Sequence, residues 1–484
     1  MERNLNSLSE VYGSLISAKI NIINDIILKI RRSFMKENMK EQLLTKTPIS
    51  LMFQLSIPAV IGMIVIGLYP LMDGIFAGKI IGQIAMTACG VAMPLTFFNS
   101  GVSTLLGVGS ASVLSRAIGK GDQKTVDKIM GNLIFWVIFF STIITVGGIL
   151  LAPHFLDMVG ATGEIKSYGI RYLRVIFIGS IFVNFTQSAN MVMRGEGLMK
   201  KAMMIMGLGA LLNIILDPIL MILMGKYAIE GAALATITAQ FVQAVITLQY
   251  FLRKSKVVRI YKIKSDVRIK KEMFAVGSSA MMMQLLFMIQ QTMLYKMAFK
   301  YGGDPNGILM AASLRVYAFS FIPLWGMSQG LQPVVGTNFG AEQYDRVRQA
   351  MKVFSIGGIV LAAVFWIPSL LLSSQILSLF GVDANIIAQG VGNFRLFYSV
   401  FILYGVMVMS ITFFQSIGNG KKAGIIVMLR QLFLFVPAMI FLPMAFGVKA
   451  VWFTQPLVDF IMIVVGIFMM IVELNKMGRE KTIN

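Results

Sequence analysis

Charge is scarce in this chain. Only 13% of its 484 residues are Asp, Glu, Lys or Arg, about half the share usual in soluble domains. A soluble protein of this length divides into two or three domains with polar surfaces, and too little polar material is present to cover even one. Acid is scarcer still: 22 acidic residues stand against 43 basic ones. Cysteine is confined to Cys89, which excludes an internal disulfide and any CxxC metal site. His154 is the sole histidine, so no His cluster exists; in Ala152-Pro153-His154-Phe155 it reads as a helix-end residue. Neither a Walker A loop nor an HExxH motif occurs, which argues against an ATPase and against an enzyme of any kind. No cleavable signal peptide is apparent.

What is abundant is hydrocarbon. Hydrophobic residues make up 57% of the chain, and the mean hydropathy is +0.77. A membrane helix needs about 20 mostly apolar residues. Twelve such runs are found, at 48–80, 84–113, 129–153, 168–193, 201–224, 229–252, 273–300, 307–338, 350–373, 388–416, 422–445 and 448–473. With the N-terminus placed inside, the intervening segments 1–47, 114–128, 194–201, 253–272, 339–352, 417–422 and 474–484 hold 32 of the 43 Lys and Arg residues. The opposite loops hold five: Lys79, Lys166, Lys226, Lys300 and Lys449. This asymmetry is the positive-inside rule. It predicts a multi-pass protein of the cell membrane with both termini cytoplasmic, and it assigns the +21 net charge to topology, not to nucleic acid. Residues 1–47 read as a cytoplasmic segment in which Leu15 to Ile30 form an amphipathic helix on the membrane, with Arg31 and Arg32 at the headgroups. The other reading is a dispensable extension, with translation starting at Met35 or Met39. The basic stretch 253–272 reads as a linker between halves, drawn to anionic headgroups.

The chain repeats itself. Shifted by 221 residues, Gly119, Val126 and Met130 fall on Gly340, Val347 and Met351, while Gly197 and Lys200-Lys201-Ala202 fall on Gly418 and Lys421-Lys422-Ala423. Each half holds an even number of spans, so both halves enter the membrane from one side. A pseudo-twofold axis along the membrane normal follows, with a first lobe at 48–252 and a second at 273–473 around a central cavity. Rocking of such lobes suits a secondary transporter.

An ionisable group in hydrocarbon costs several kcal/mol or more and calls for a reason. Asp73 follows Pro70 late in the first span, and Asp217 sits mid-span in Asn213-Ile214-Ile215-Leu216-Asp217-Pro218. Asn213 and Asp217, four apart, share a helix face, and Pro218 frees a backbone carbonyl one turn earlier. These oxygens, with the Thr236 hydroxyl of the sixth span, form a candidate site for H⁺ or Na⁺. Alternatively, Asp73 merely ends a helix and Asn-Asp-Pro merely bends one. The second half offers Gln284, Gln290, Gln291, Lys296, Arg315 and Arg395 instead, with Arg430 read as an interface anchor. Gln290, Gln291 and Arg315 are substrate-cavity candidates. Phe97, Phe98, Phe287 and Trp325 offer aromatic surfaces to a lipophilic cation, with packing as the plainer role for each. The 37 Met residues suit an adaptable apolar pocket, though most are expected to pack or face lipid.

Tyr301-Gly302-Gly303-Asp304, then Gly326-Met327-Ser328-Gln329-Gly330-Leu331-Gln332-Pro333 and Gly336-Thr337-Asn338-Phe339-Gly340-Ala341, resemble the second-half signature of the multidrug and toxic compound extrusion (MATE) family. Phe414 to Gly418, Arg430-Gln431, Pro437 and Trp452 continue it, and Asp73 to Gly78 and Asn213 to Pro218 resemble its first- and fifth-span motifs. The resemblance covers about 48–473. It implies an all-α membrane protein of twelve helices in two lobes, exporting drugs or toxins in exchange for H⁺ or Na⁺, with no other cofactor. By motif, the family's cation site falls on Asp73, Asn213 and Asp217, and less closely on Thr236. Acidic residues that some members carry in spans seven and ten are missing, so the chain looks like the bacterial multidrug-efflux branches that couple through the first lobe. A monomer in the bilayer is expected. A lipid-linked oligosaccharide flippase of the same superfamily is the alternative, with Lys296, Arg315 and Arg395 as its anion-binding candidates.

Overall fold

The computed structural model describes residues 39–158, 163–255, 257–379 and 382–483, and every regular element among them is helical. Hydrocarbon offers the backbone no hydrogen-bond partner, so runs of Leu, Ile, Met and Phe close their own bonds as helices. They form twelve candidate membrane spans, the fifth and sixth nearly continuous through one turn. The first lobe has α1 (Pro48–Ile80), α2 (Gln83–Lys120), α3 (Gln123–Met158), then α4 in two segments, Gly163–Ile178 and Ser180–Gly195, bent by 55° at Gly179. It ends with α5 (Met199–Met224) and α6 (Ala228–Gln249), separated by the 3-10 turn Gly225–Tyr227. The second lobe has α7 (Val267–Gly303), α8 (Pro305–Gly340), α9 (Tyr344–Leu371), α10 (Ala384–Tyr398 and Phe401–Ser416), α11 (Gly420–Phe446) and α12 (Val448–Ile483). Between α7 and α8 the chain turns on Gly303, whose φ of 62° a side chain would resist.

All twelve expected spans are present, and several outrun the bilayer. The 38 residues of α2 measure about 57 Å at 1.5 Å per residue. Their surplus is buried between the lobes at the end carrying the basic loops. There the repeat becomes geometry. A Cβ on Gly119 would lie 2.2 Å from the Thr337 carbonyl oxygen, and one on Gly340 would lie 2.2 Å from that of Arg116. Gly119 and Gly340 are repeat partners, as are Arg116 and Thr337, so each contact is the other with its halves exchanged. That is the mark of a twofold axis passing between α2 and α8. The same exchange sets α7 against α2 (Gly277 on Leu105) and α1 against α8 (Gly326 on Ala59).

Hydrogen bonds between lobes run down this seam. Thr104 Oγ1 donates to Gln284 Oε1 (3.1 Å), Gln332 Nε2 to Val108 O (3.3 Å) and Ser112 Oγ to Gln415 O (2.5 Å), and Arg116 pairs with Glu272 at 3.1 Å. A short helix, Met39–Thr45, is docked over the seam. Leu43 O accepts from Asn338 Nδ2 (3.0 Å), Arg346 reaches Lys46 O (2.5 Å), and Met39 and Leu43 pack on Gly197. The amphipathic helix expected within this N-terminal segment, over 15–30, lies outside the described residues. The basic linker is shorter than expected, because α7 already begins at Val267. Asp266 caps that helix through the Arg268 and Ile269 amides and pairs with Lys128 at 2.9 Å, which holds its carboxyl below the usual range.

Candidate functional site

Within the first lobe, α5 and α6 pack closely because α6 opens with small residues. A Cβ on Gly231 would lie 2.7 Å from Leu220 O, and Ala232, Ala233 and Ala235 are fully buried beside it. Close packing brings three predicted residues together. Asn213 Nδ2 donates to Asp217 Oδ1 (2.9 Å) and to Thr236 Oγ1 (3.3 Å), and Thr236 donates to Ala232 O (3.3 Å). Asp217 is fully buried and Asn213 nearly so. The Asn213 Oδ1 atom is buried without a hydrogen-bond partner among the described residues. Amide, carboxylate and hydroxyl oxygens are what a hard cation selects, and a buried carboxylate equally favours a proton. Asp73 lies on α1; its side chain, like that of Phe97, is outside the described part of the structure.

The second-lobe candidates scatter. Gln290 is buried and accepts from Gln431 Nε2 at 2.7 Å, while Gln291 is half-buried and Arg315 exposed. Arg395 is occupied by Ser373 Oγ at 3.0 Å. Phe98 is exposed. Trp325 is half-buried at the end of an aromatic run through Phe321 to Phe287 and Tyr404.

Arg430 is no interface anchor. It is buried, with Nε 2.7 Å from Asp459 Oδ1 of α12 and its guanidinium 5.2 Å from the Tyr404 ring centroid. Sequence reasoning passed over Asp459, although a carboxylate twelve residues into an apolar span carries the same signal as Asp217. It also passed over a neutral cluster in the first lobe. Asn184 Nδ2 donates to Asn99 Oδ1 (2.8 Å) and Ser141 Oγ (3.0 Å) and its Oδ1 accepts from Ser103 Oγ (2.5 Å), tying α2, α3 and α4 together. Short polar side chains among Phe and Leu are common in spans, so spacing alone did not single them out. Near the basic end, Glu196 is buried just after α4, and burial pushes its carboxyl up to about 8 against the pull of Lys201, the Tyr250 hydroxyl and the Val258 amide. Gly326 to Gly330 has the GxSxG spacing of a nucleophile elbow, which needs a strand-to-helix turn. Here Ser328 lies inside α8, buried, donating to Trp325 O at 2.7 Å.

Two six-helix lobes related by a twofold axis, with buried carboxylates inside them, define a polytopic membrane transporter of the rocking-repeat class. The chain belongs to the MatE family, whose model matches it twice, at residues 58–219 and 279–440. The two matches begin 221 residues apart, the offset at which the loops repeat. A similar relative is the "Multidrug export protein MepA" of Staphylococcus saprophyticus, 24% identical over 402 residues, covering 83% of this chain and 88% of the relative. Among solved structures, an "outward-facing conformation of a multidrug resistance MATE family transporter" superposes with TM-score 0.85 at 26% identity, covering 92% of this chain and all of the other. A MATE structure in complex with MaD3S gives the same TM-score and identity, again over 92% of this chain.

Proposed function

We propose that this protein exports lipophilic and cationic small molecules across the cell membrane in exchange for H⁺ or Na⁺. The observation that carries the reading is the fully buried Asp217, bonded to Asn213 beside Thr236, inside a lobe that can rock against its repeat. Asp73 on α1 completes the cation site by motif. Cation entry or release there alters α1 and the cavity that it borders. Linkage then requires drug and cation each to weaken the other's binding. Multidrug export by relatives of similar length supports the reading. The charge asymmetry of the loops supports cytoplasmic termini, and nothing in the cycle calls for more than a monomer.

A flippase for anionic lipid-linked sugars is the weaker reading. It needs basic side chains available to a pyrophosphate; Arg315 and Arg395 are exposed, with Arg395 bonding the Ser373 hydroxyl, but the buried Asp217 of the first lobe opposes an anionic headgroup. The decisive experiment is dye transport in proteoliposomes with Na⁺ and pH gradients imposed independently. The gradient that alone drives transport identifies the coupling ion, and transport indifferent to both gradients overturns the exchange mechanism.

A further inference from the structure

The second lobe carries its own buried carboxylate in the same pair of helices. Asp459 on α12 and Arg430 on α11 stand in their lobe as α6 and α5 stand in the first. Both side chains are at least nine-tenths buried. Helices from the rest of the lobe close around them: Tyr404 of α10 lies against the guanidinium, and Gln431, adjacent to Arg430, bonds Gln290 of α7. The backbone of α11 widens into a π-helical stretch at Leu429–Phe435, so Arg430 sits where the regular helix is interrupted. Such bulges recur at functional sites and re-aim side chains.

A bare carboxylate at Asp459 would be an attractor for a diffusible cation, as a carboxylate in hydrocarbon requires a counter-charge or a proton. Arg430 supplies that charge from within the chain, and a guanidinium does not deprotonate in proteins. The first lobe has no side chain at the matching position. The 221-residue offset places Gly209 under Arg430, and a Cβ there would lie within 2.4 Å of the Gln243 amide group. Gln243 is itself engaged, donating to Met206 O at 3.0 Å. A side chain at that point of α5 would have to displace Gln243 from this bond.

We infer that Arg430 is a built-in counter-ion that occupies, beside Asp459, the place a diffusible cation would otherwise take, so that the second lobe binds no coupling ion. Arg430 is thus a positioning residue that fixes the cation count of the transport cycle. The inference rests on the exchange reading above for its place in the cycle, but its central claim concerns cation binding and is testable without drug.

The probes are radioactive sodium and, for protons, potentiometric titration compared between variants in weakly buffered solution, applied to purified full-length protein in lipid nanodiscs. In Arg430→Met, Asp459 is exposed to the medium's cations, and one additional cation per protein is expected, roughly doubling the wild-type count if the first lobe binds one. The gain should vanish in R430M/D459N. Equal counts in folded R430M and R430M/D459N overturn the inference. Should R430M not fold, R430M/D459L decides, since it removes both charges with apolar side chains. Drug export with unchanged ion dependence in that variant supports an internally closed pair. A folded R430M/D459L that no longer exports overturns it, because the charges would then be needed in the cycle. Failure of the wild type to couple export to either gradient would sink the exchange reading while leaving these counts interpretable.

Discussion

Asp217 and Asp459 are carboxylates buried in corresponding helix pairs of the two lobes, yet their surroundings differ in kind. Asp217 accepts from the neutral amide of Asn213 at 2.9 Å, whereas Asp459 lies 2.7 Å from a guanidinium. The lobes share a backbone plan and a twofold seam, so the difference is chemical. The Asn213 amide brings Asp217 no formal charge, whereas a guanidinium meets the charge of Asp459 permanently. On the exchange reading proposed above, symmetry lets the lobes rock as equals, while the unequal treatment of buried charge lets one of them sense an ion gradient.

The strongest way to break this comparison is Asp217→Asn. It keeps the shape and removes the charge, so dye export should drop to that of cells lacking the protein while the amount in the membrane holds. Export near wild-type levels would move the coupling site elsewhere. In the second lobe, Arg430→Ala should act on stability instead. An uncompensated buried carboxylate costs about 3–5 kcal/mol, read as a large fall in melting temperature in detergent, and replacing both partners by Met and Leu should recover most of it.

The basic end offers a third contrast. Glu196 and Ile417 are repeat partners in the turns that precede Gly197 and Gly418. Burial raises the Glu196 carboxyl to about 8, so the folded state holds a proton that the unfolded state has released above its ordinary pKa. Stability must then fall as pH rises from the ordinary carboxylate pKa to about 8, and be flat beyond. Glu196→Gln should remove that slope from a series of thermal melts, whereas Ile417→Leu should leave it in place.

Seam glycines test the axis itself. Gly119→Ala and Gly340→Ala each drive a Cβ onto a backbone carbonyl across the lobes, and overpacking of this kind costs about 1–3 kcal/mol. Twofold symmetry requires the two penalties to be alike. Melting temperatures that drop for one substitution and not the other would show that the seam is asymmetric in solution.

Much of this architecture is legible in the chain because lipid makes the rules strict. Span number follows from apolar length, and the repeat survives at helix ends such as Gly119 and Gly340, where close backbone approach tolerates no side chain. The Asn213–Asp217 contact was readable because four residues make one helical turn. What could not be read were partners distant in sequence. Arg430 and Asp459 are 29 residues apart on antiparallel helices, and Asn99 and Asn184 are 85 apart. Each looked like a lone polar residue until the lobe closed around it.

Thr236→Val is the mildest and sharpest probe of the first lobe. Valine keeps the volume and loses the hydroxyl, which accepts from Asn213 at 3.3 Å. Asn213 retains its shorter bond to Asp217, so its orientation should persist. One neutral hydrogen bond is worth about 0.5–1.5 kcal/mol, which converts to roughly a 2- to 10-fold weakening of cation affinity. Export should continue at saturating gradient and decline only when the driving ion is limiting, seen as a raised half-saturating concentration. An unchanged half-saturation would remove Thr236 from the site, leaving the carboxylate and amide to hold the cation. Complete loss of export would instead rank the hydroxyl with Asp217, and the division between a charged centre and its neutral helpers in the first lobe would have to be redrawn.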